Sequence, residues 1–416
     1  MRLYKEKIVK GIFVSRPNRF VARVEIQGKT ELCHMPNPGR MRELLFPGTA
    51  LYVVKNHGAQ SKTAYKVVGA ERDGVPVLLD TVRANDVAEY LITMHRIPGW
   101  ESCRVIRREV TMGDSRFDLL LMDEATGEVF PVEVKSCTLF GSQGAMFPDA
   151  VTARGRKHVE HLGKIAEQGG HAGILFLVQW PRAKWFLPDF HTDPEFAETF
   201  SRYMDKLDWK AAAISWSESF DMPESVKLLP SSREVIQEEN REYGDFLLIL
   251  NNEKELAWPG QVSLPAGYYL YVGHSEGRLT AVENSFRRKR RTWRNPVDRL
   301  RASCQLETVI TLRSSVNNSE SIQKHLIEAG GQPVVLSDDS GKVTCLYYHN
   351  NPIETREFSQ VELFFAMDRF NECMHMAEIK KIGTIKSSRP EKNATPGGES
   401  SLWLTAFLTV KGLWQD

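Results

Sequence analysis

Residues 116–135 read RFDLLLMDEATGEVFPVEVK, and this stretch decides how the middle of the chain folds. Two apolar runs flank the polar segment at residues 124–127, a pattern typical of a β-hairpin with a four-residue loop. With that loop, Asp118 lies directly opposite Glu133, about 5 Å away on one face of the ribbon. Alternation along the strand adds Lys135 to the face that carries Glu133. The sequence therefore predicts two carboxylates and an amine within one small area.

These three charged residues suit a metal-dependent hydrolase. Like charges opposed across a sheet destabilise it, and burying them unpaired adds several kcal/mol to that penalty. A divalent cation removes the repulsion, and Mg²⁺ favours carboxylate oxygens while keeping some of its waters. We therefore predict that Asp118 and Glu133 hold Mg²⁺ (or Mn²⁺) and that Lys135 assists phosphodiester hydrolysis. A salt bridge on a solvated strand gives the same residue pattern, and the sequence alone leaves that alternative open.

The segments around the hairpin alternate between helix and strand patterns. Residues 86–94 and 149–168 have helical spacing, residues 173–180 form a continuous apolar strand, and residues 194–207 predict another helix. This alternation predicts an α/β domain over residues 83–222.

The helix predicted at residues 149–168 carries basic side chains near its start. Arg154 and His158 are four residues apart, and Lys157 lies beside them. Next to a metal site such a face would hold phosphates, so we predict Arg154, Lys157 and His158 as nucleic-acid contacts. A solvated helix face explains the same charges equally well.

The first 82 residues consist of short strand patterns. Five or six apolar, β-branched runs are separated by Gly and Pro, with no long helix between them. This favours a small closed barrel of the OB type, a fold that often binds nucleic acid, although a barrel without a ligand fits as well. The predicted phosphate contacts here are Arg19, Arg23 and Arg40, and surface salt bridges are the alternative for each.

The second half of the chain begins with a predicted linker at residues 223–242, rich in Pro, Ser and acids. A third unit follows at 243–376, and residues 377–416 are predicted to be a disordered linker and tail. Residues 278–301 contain nine basic and two acidic residues, which indicates either phosphate binding or a solvated basic helix. The predicted nucleic-acid contacts in this stretch are Arg287, Arg288, Arg290 and Arg291.

The composition excludes several classes of protein. Among 416 residues, 54 Lys and Arg face 53 Asp and Glu, so any polyanion site must be a local patch. The six cysteines form no CxxC pair, which argues against a zinc ribbon or a disulfide framework. No apolar run approaches the roughly 20 residues of a membrane helix, and the N-terminus lacks a signal-peptide pattern. We expect a cytoplasmic protein that does not associate with membranes.

Several motifs, in order along the chain, resemble one known family. They are RFVARV at 19–24, HMPNPGRM at 34–41, Asn85, SRFD at 115–118, VEVKS at 132–136, and FPDAVT at 147–152 followed by Arg154-Gly155, Lys157 and His158. These motifs are similar to those of the sugar fermentation stimulation protein A (SfsA) family. The resemblance covers residues 1 to about 220, roughly half of the chain.

The resemblance implies a multidomain α+β protein, with an OB-like β-barrel at residues 1–82 and a PD-(D/E)xK restriction-endonuclease-like α/β domain at residues 83–222. It also implies nonspecific DNA binding, a nuclease activity on DNA or RNA, and Asp118, Glu133 and Lys135 as the metal-dependent catalytic set. Such folds are also kept for binding alone, so a non-catalytic DNA-binding regulator linked to sugar (maltose) metabolism is the alternative. The oligomeric state stays open.

A shorter resemblance concerns the third unit. Residues 267–273, GYYLYVG, resemble the second half of the GIY-YIG nuclease motif, and residues 244–248 resemble the first half. This implies a C-terminal GIY-YIG-like α/β domain, with Tyr271 and Glu320 as a possible second catalytic site. Phe246 stands where the first motif usually has a tyrosine, and the motif's arginine and histidine have no clear counterpart. The resemblance therefore favours binding over catalysis in this unit.

Overall fold

The computed structural model describes residues 2–56, 62–223, 225–259, 263–288, 295–338 and 341–376. The chain divides into two compact units, Met1–Met374 and His375–Asp416, and every element below belongs to the first. The predicted disorder at 377–416 concerns a segment outside the described residues. None of the described helices is both long enough and apolar enough to cross a membrane.

The N-terminal strands close into a barrel. The strands are β1 (Val9–Asn18), β2 (Val21–Ile26), β3 (Lys29–His34), β4 (Ala50–Lys55), β5 (Tyr65–Arg72) and β6 (Val75–Leu78). They follow the order β3-β2-β1-β4-β5-β6, and a further pairing of β3 with β5 closes the sheet on itself. Strand β2 alternates as a half-buried strand does: Ala22, Val24 and Ile26 are buried, whereas Arg23 and Glu25 are exposed. The predicted small closed barrel is confirmed.

An α/β region follows the barrel. Its elements are a 3-10 turn (Thr81–Arg83), α1 (Ala84–Thr93), β7 (Cys103–Met112), β8 (Ser115–Asp123), β9 (Val129–Cys137), β10 (Leu139–Phe140), β11 (Gly144–Phe147), α2 (Ala153–Glu167), β12 (Gly173–Val178), β13 (Trp185–Pro188), α3 (Pro194–Tyr203), β14 (Asp208–Ile214), β15 (Val226–Leu228) and α4 (Arg233–Glu239). The main sheet has the order β15-β14-β12-β9-β8-β7, in which β9, β12 and β14 run parallel. Helix α1 packs on one face of this sheet, and α2 and α3 pack on the other. Because both faces are covered, the central strand β12 is buried along its whole length.

Helix α2 begins later than the sequence predicts. Its N-cap is Thr152, whose Oγ1 accepts a hydrogen bond from the Gly155 N–H at 3.1 Å. Helix α3 starts at the predicted residue, where Asp193 accepts from the Phe196 N–H at 3.0 Å. Both caps satisfy backbone donors that the first helical turn leaves unpaired.

The predicted linker at residues 223–242 is wrong. Strand β15 pairs antiparallel with the edge of the main sheet, and α4 contacts α3. Helix α4 has only seven residues, of which Val235 and Ile236 are buried in the core. A helix this short shows no clear periodicity in the sequence, and its stability depends on packing that only the folded neighbour supplies.

The C-terminal region, residues 243–374, is built on a second large sheet. Its elements are β16 (Gly244–Asn252), β17 (Gly267–Ser275), α5 (Leu279–Arg287), α6 (Pro296–Ser303), β18 (Gln305–Arg313), α7 (Ser319–Glu328), β19 (Gln332–Ser337), β20 (Val343–His349), α8 (Arg356–Ala366) and a 3-10 turn (Asp368–Phe370). The strand order is β18-β16-β17-β20-β19, and each of these pairings is antiparallel. Helices α5 and α6 cover one face, while α7 and α8 cover the other.

The C-terminal region is packed against the α/β region. His191, which follows β13, accepts the Arg313 N–H at Nδ1 and lies 2.9 Å from the Ala366 carbonyl through Nε2. Met367 and Phe370 are buried in the same core cluster as the face of the main sheet that α2 covers. Polar and apolar contacts therefore hold the two regions together.

Candidate active site

The site lies on the hairpin formed by β8 and β9. At the end of the hairpin farthest from its loop, the last pair of opposed residues is Leu119 and Val132. At the loop end, the Asp123 N–H donates to the Glu128 carbonyl. This is the register predicted from the four-residue loop. Asp118 comes directly after these paired positions, next to the segment that carries Glu133.

Asp118 is held by two donors. Its Oδ1 accepts from the Asn85 side-chain amide at 2.9 Å, and its Oδ2 accepts from the Val134 N–H at 2.9 Å. Burial raises the pKa of Asp118, and the negative charge of Glu133 raises it further. The Asn85 and Val134 hydrogen bonds and the Lys135 ammonium act in the opposite direction. The carboxylate is therefore oriented by its neighbours while it feels the charge of a second carboxylate.

Glu133 is the most buried of the three, with 3% of its surface exposed. Its Oε1 accepts from the Lys135 ammonium, and the same oxygen lies 2.5 Å from Nδ1 of His158. Burial opposes ionisation, but the His158 hydrogen bond and the Lys135 ammonium prevail and lower the pKa of Glu133. Its Oε2 is buried and has no hydrogen-bond partner. A buried carboxylate oxygen without a hydrogen-bond partner lowers the stability of the fold unless a further ligand binds to it.

The residues fit a hard divalent cation. The unpartnered Oε2 of Glu133 and the repulsion between Glu133 and Asp118 are the conditions that such an ion relieves. Within the described ranges, no group of three or more His, Cys, Asp or Glu side chains is arranged to hold a metal. A cation here would keep water and substrate oxygens as most of its ligands, which is the habit of Mg²⁺.

His158 was predicted as a nucleic-acid contact, and this prediction is wrong. Its ring is buried, contacts Phe117 edge-to-face at 5.8 Å and bonds Glu133. Helical spacing turns it toward the sheet, whereas Arg154 and Lys157 on the same helix are exposed. His158 therefore positions the carboxylate. Sequence reasoning also missed the role of Asn85, which it singled out only as one of the motif residues of the family resemblance.

The three barrel arginines are exposed. The Arg19 guanidinium lies over the Phe20 ring at 4.9 Å, and Arg23 is 3.4 Å from the Ser15 hydroxyl. Arg40 reaches the α/β region, where it donates to the carbonyl oxygen of Asp149 at 3.1 Å. Arg19 and Arg23 are therefore available to a polyanion, while Arg40 also joins the barrel to its neighbour.

The predicted contacts of the C-terminal region are only partly described. Arg287 is exposed and donates to the Glu283 carboxylate at 2.6 Å, and Arg288 is also exposed. Arg290 and Arg291 lie outside the described residues. The pairing with Glu283 neutralises part of the predicted basic patch.

The structure does not bring Tyr271 and Glu320 together. Tyr271 lies 5.9 Å from the Phe246 ring on the face of the sheet covered by α5 and α6. Glu320 is exposed in the first turn of α7, which packs on the opposite face through Ile322. The predicted second catalytic pair is therefore wrong, because the chain connection carries α7 across the sheet.

Two family models match the first half of the chain. The model described as the SfsA N-terminal OB domain matches residues 14–79, and the model described as the sugar fermentation stimulation protein RE domain matches residues 82–218. The predicted OB-like barrel is thereby supported. The C-terminal region lies outside both matches.

Curated relatives show the same extent of similarity. A sugar fermentation stimulation protein homolog of Methanothermobacter thermautotrophicus is 35% identical over 232 residues, covering 56% of this chain and 95% of the relative. One from Clostridium botulinum (strain Alaska E43) is 40% identical over 190 residues, covering 46% of this chain and 82% of the relative.

A solved structure of Pyrococcus furiosus SfsA in complex with Ca²⁺ is 31% identical, with a TM-score of 0.50. It covers 56% of this chain and 99% of that protein. Since nearly the whole length of these proteins is matched, the chain belongs to the sugar fermentation stimulation protein (SfsA) family.

Proposed function

We propose that this protein is a metal-dependent nuclease that hydrolyses phosphodiester bonds of DNA or RNA at a PD-(D/E)xK-type site. The observation that carries the proposal is the buried Glu133, with one unpartnered oxygen, beside Asp118 and Lys135 on a β-hairpin. Perturbed carboxylates of this kind cluster at functional sites.

Each residue of the site has a distinct part. Asp118 and Glu133 would hold Mg²⁺ or Mn²⁺, which when bound polarises a phosphoryl oxygen and lowers the pKa of a water. Lys135, with its side chain 18% exposed, can turn from Glu133 toward a phosphate and stabilise the charge that develops on it. Asn85 and His158 keep the two carboxylates in place. The Pyrococcus furiosus SfsA structure is a complex with Ca²⁺, which supports a hard cation with oxygen ligands here.

Nucleic acid is the substrate class that the surroundings favour. SfsA is a DNA-binding family. Arg154 and Lys157 are exposed on α2, the helix whose buried face places His158 against Glu133. Arg19 and Arg23 extend positive charge onto the barrel. A strand held by these cations would pass close to the carboxylates.

One observation favours a second candidate function. Lys135 is paired with Glu133, and both Asp118 oxygens already accept hydrogen bonds. The site could therefore be a structural ion pair in a non-catalytic DNA-binding regulator linked to sugar (maltose) metabolism, in line with the name of the curated relatives.

Cleavage assays separate the two functions. We expect purified full-length protein to cut single- or double-stranded DNA or RNA with Mg²⁺ or Mn²⁺ and to stop when EDTA is added. Asp118→Asn and Lys135→Ala should each lower the rate at least a hundredfold while binding survives, because each removes charge needed in the transition state. Lys164→Ala, an exposed lysine of α2, is the control. No cleavage by the wild type, or full cleavage by both site variants, refutes the nuclease.

For the C-terminal region we propose binding rather than catalysis. The two segments that resemble the GIY-YIG motif pair as the neighbouring strands β16 and β17, with Phe246 opposite Gly273. Phe246 has no hydroxyl, and Tyr271 lacks a glutamate partner at Glu320. If both Tyr271→Phe and Glu320→Gln leave any cleavage unchanged, this proposal stands; a loss in either one overturns it.

A further inference from the structure

Four large apolar side chains are exposed in the part of the barrel formed by β1, β2 and β3. Ile12 and Val14 belong to β1, Leu32 belongs to β3, and Phe20 lies in the turn that joins β1 to β2. Each of them is between 39% and 48% exposed. Apolar surface that gathers in one place on a soluble protein, rather than being scattered, marks an interaction site.

The strand register gathers the exposed side chains of the strands around β2. Arg23 lies directly opposite Leu32 of β3, and on its other side is the irregular stretch of β1 that contains Val14. The next outward position of β2, Glu25, lies opposite Ile12. The residues of β2 that alternate with Arg23 and Glu25 are buried in the barrel, so these five side chains share its outer surface. We call this surface the β1–β3 face.

The turn between β1 and β2 fixes the position of Phe20 beside this face. The Phe20 N–H donates to Oδ1 of Asn18 at 2.9 Å, and the Phe20 carbonyl accepts from the Met35 N–H at 2.8 Å. Arg16 donates to the Arg19 carbonyl at 2.7 Å, and the Arg19 guanidinium lies over the Phe20 ring. The backbone of the turn is therefore anchored while the ring stays exposed. An aromatic ring held in this way loses little freedom when a flat ligand stacks on it.

The charge of this part of the barrel is positive. Residues 9–34 contain five basic and two acidic residues, whereas the whole chain has a formal charge of +1. One of the five, Lys10, pairs with Glu218 outside the stretch, which leaves an excess of two positive charges. A second copy of the chain would bring the same positive charge against this face. A polyanion is complementary to it.

The mixture of apolar and basic side chains separates a single strand from a double helix. A duplex has the higher density of phosphate charge, so arginines alone would favour the duplex. Unpaired bases expose their flat apolar faces, which stack on aromatic side chains, whereas the bases of a duplex are already stacked on one another. Exposed apolar side chains next to Arg19 and Arg23 therefore fit unpaired bases.

We propose that the β1–β3 face and its turn bind single-stranded nucleic acid, with bases against Phe20 and Leu32 and phosphates at Arg19 and Arg23. This inference rests on the proposed nucleic-acid function and names its substrate class, since unpaired strands are preferred to a duplex. The nuclease would then act on single strands or on unpaired ends.

Fluorescence anisotropy with the full-length protein tests the proposal without any cleavage. The probes are a short labelled DNA oligonucleotide of mixed sequence and the duplex formed with its complement, both in EDTA at the same salt concentration. We expect the single strand to bind at least tenfold tighter than the duplex, because only the single strand offers bases for stacking. A duplex that binds as tightly as the single strand, or more tightly, overturns the proposal.

Two apolar variants test the base contacts. Phe20→Ala should weaken single-strand binding about tenfold and leave duplex binding unchanged, and Leu32→Ala should weaken single-strand binding several-fold. Both side chains are exposed, so the barrel core keeps its packing. Phe364→Ala, which removes an exposed phenylalanine of α8, is the matched control. Unchanged single-strand affinity in both barrel variants, or an equal loss in the control, contradicts the assignment.

A charge variant tests the phosphate contact. Arg19→Ala should reduce the slope of log K against log salt by about 0.7 for the single strand, the value expected for one phosphate contact. Arg202→Ala, an exposed arginine of α3, is the matched control and should leave the slope unchanged. The same slope in wild type and Arg19→Ala removes Arg19 from the proposed site.

Sedimentation velocity examines the other occupant of this face, a second copy of the chain. We expect wild type and Leu32→Glu to sediment with the same mass. A wild-type dimer that Leu32→Glu dissociates would show that a second copy covers the face, and this overturns the proposal. Absence of cleavage leaves the binding results in EDTA intact. Conversely, cleavage of duplex and single strand at equal rates, unchanged by Phe20→Ala, supports the nuclease and contradicts this inference.

Discussion

Replacing His191 by leucine tests whether one ring couples the C-terminal region to the α/β region. The residue is 6% exposed, its Nδ1 accepts the Arg313 N–H at 2.9 Å, and its Nε2 lies 2.9 Å from the Ala366 carbonyl. Leucine fills a similar volume but leaves both backbone groups buried and unpaired. Each orphaned group costs about 1–3 kcal/mol, so we expect the contact to lose roughly 2–6 kcal/mol.

The same ring makes the contact dependent on pH. Burial, followed by the charges of Arg369 and Arg313, holds the pKa of His191 well below its usual value. The imidazole of His191 therefore takes up a proton more readily in the unfolded chain than in the folded one. As a result, the free energy of unfolding keeps its full value above about pH 6.5 and decreases as the pH falls below it, by at most about 1.4 kcal/mol per pH unit. The neighbouring Asp189, whose pKa burial raises to about 6, acts in the opposite direction. The informative quantity is therefore the difference between wild type and His191→Leu at each pH.

Hydrogen exchange of the full chain measures this contact, because the Arg313 amide belongs to β18. In His191→Leu we expect the protection factors of the β18 amides to fall at least tenfold at pH 7.5. The difference in protection between wild type and variant should become smaller as the pH falls toward 5. His325→Leu is the control, since that ring stacks on Phe364 at 5.1 Å within the C-terminal region. The reasoning is refuted if the β18 amides of His191→Leu are as protected as those of wild type. It is also refuted if protection changes with pH in the same way in wild type and in His191→Leu.

Three further perturbations have defined outcomes. Gly39→Ala places a Cβ 1.8 Å from Oδ2 of Asp149, so the carboxyl must move, and we expect a lower melting temperature by calorimetry. The double change Arg154→Ala and Lys157→Ala should weaken DNA binding and flatten the slope of log K against log salt by about 2 if both contact phosphates. Burial opposes ionisation of Asp208, yet its hydrogen bonds lower its pKa to about 2; Asp208→Asn should therefore lose roughly 2 kcal/mol in urea unfolding at pH 7, and less as the pH falls from 4 to 2.

Each of these has a matched control. Gly277→Ala should be neutral, because only the Ser275 hydroxyl lies near the added carbon, at 3.8 Å. Arg202→Ala should leave the salt slope unchanged. Asp205→Asn alters a carboxylate whose side chain is 73% exposed and should leave stability nearly unchanged. If a control variant changes the melting temperature, the salt slope or the free energy of unfolding as much as its test variant does, the corresponding prediction is contradicted.

Local patterns in the sequence were sufficient for the hairpin and the barrel. The four-residue loop sets the register of β8 against β9, and the two-residue period of a strand then places Lys135 beside Glu133. The barrel follows from alternation along each strand, as in β2. These features depend on neighbours that are close in the sequence, so periodicity reveals them.

Other features required the packed chain. His158 is 25 residues from Glu133 in the sequence, and its basic neighbours on α2 suggested that it lies on the surface. In the folded chain, the packing of α2 on the sheet directs its ring toward Glu133. The separation of Tyr271 from Glu320 depends on which side of the sheet α7 crosses to.

The sequence by itself determined the strand register, the barrel and the pair of carboxylates with their lysine. Tertiary structure alone decided which oxygen of Glu133 stays unpartnered, which basic residues face solvent and what the C-terminal region contacts. The physical reason is that burial and hydrogen bonding between distant segments depend on packing geometry, whereas strand alternation is imposed residue by residue on the local chain.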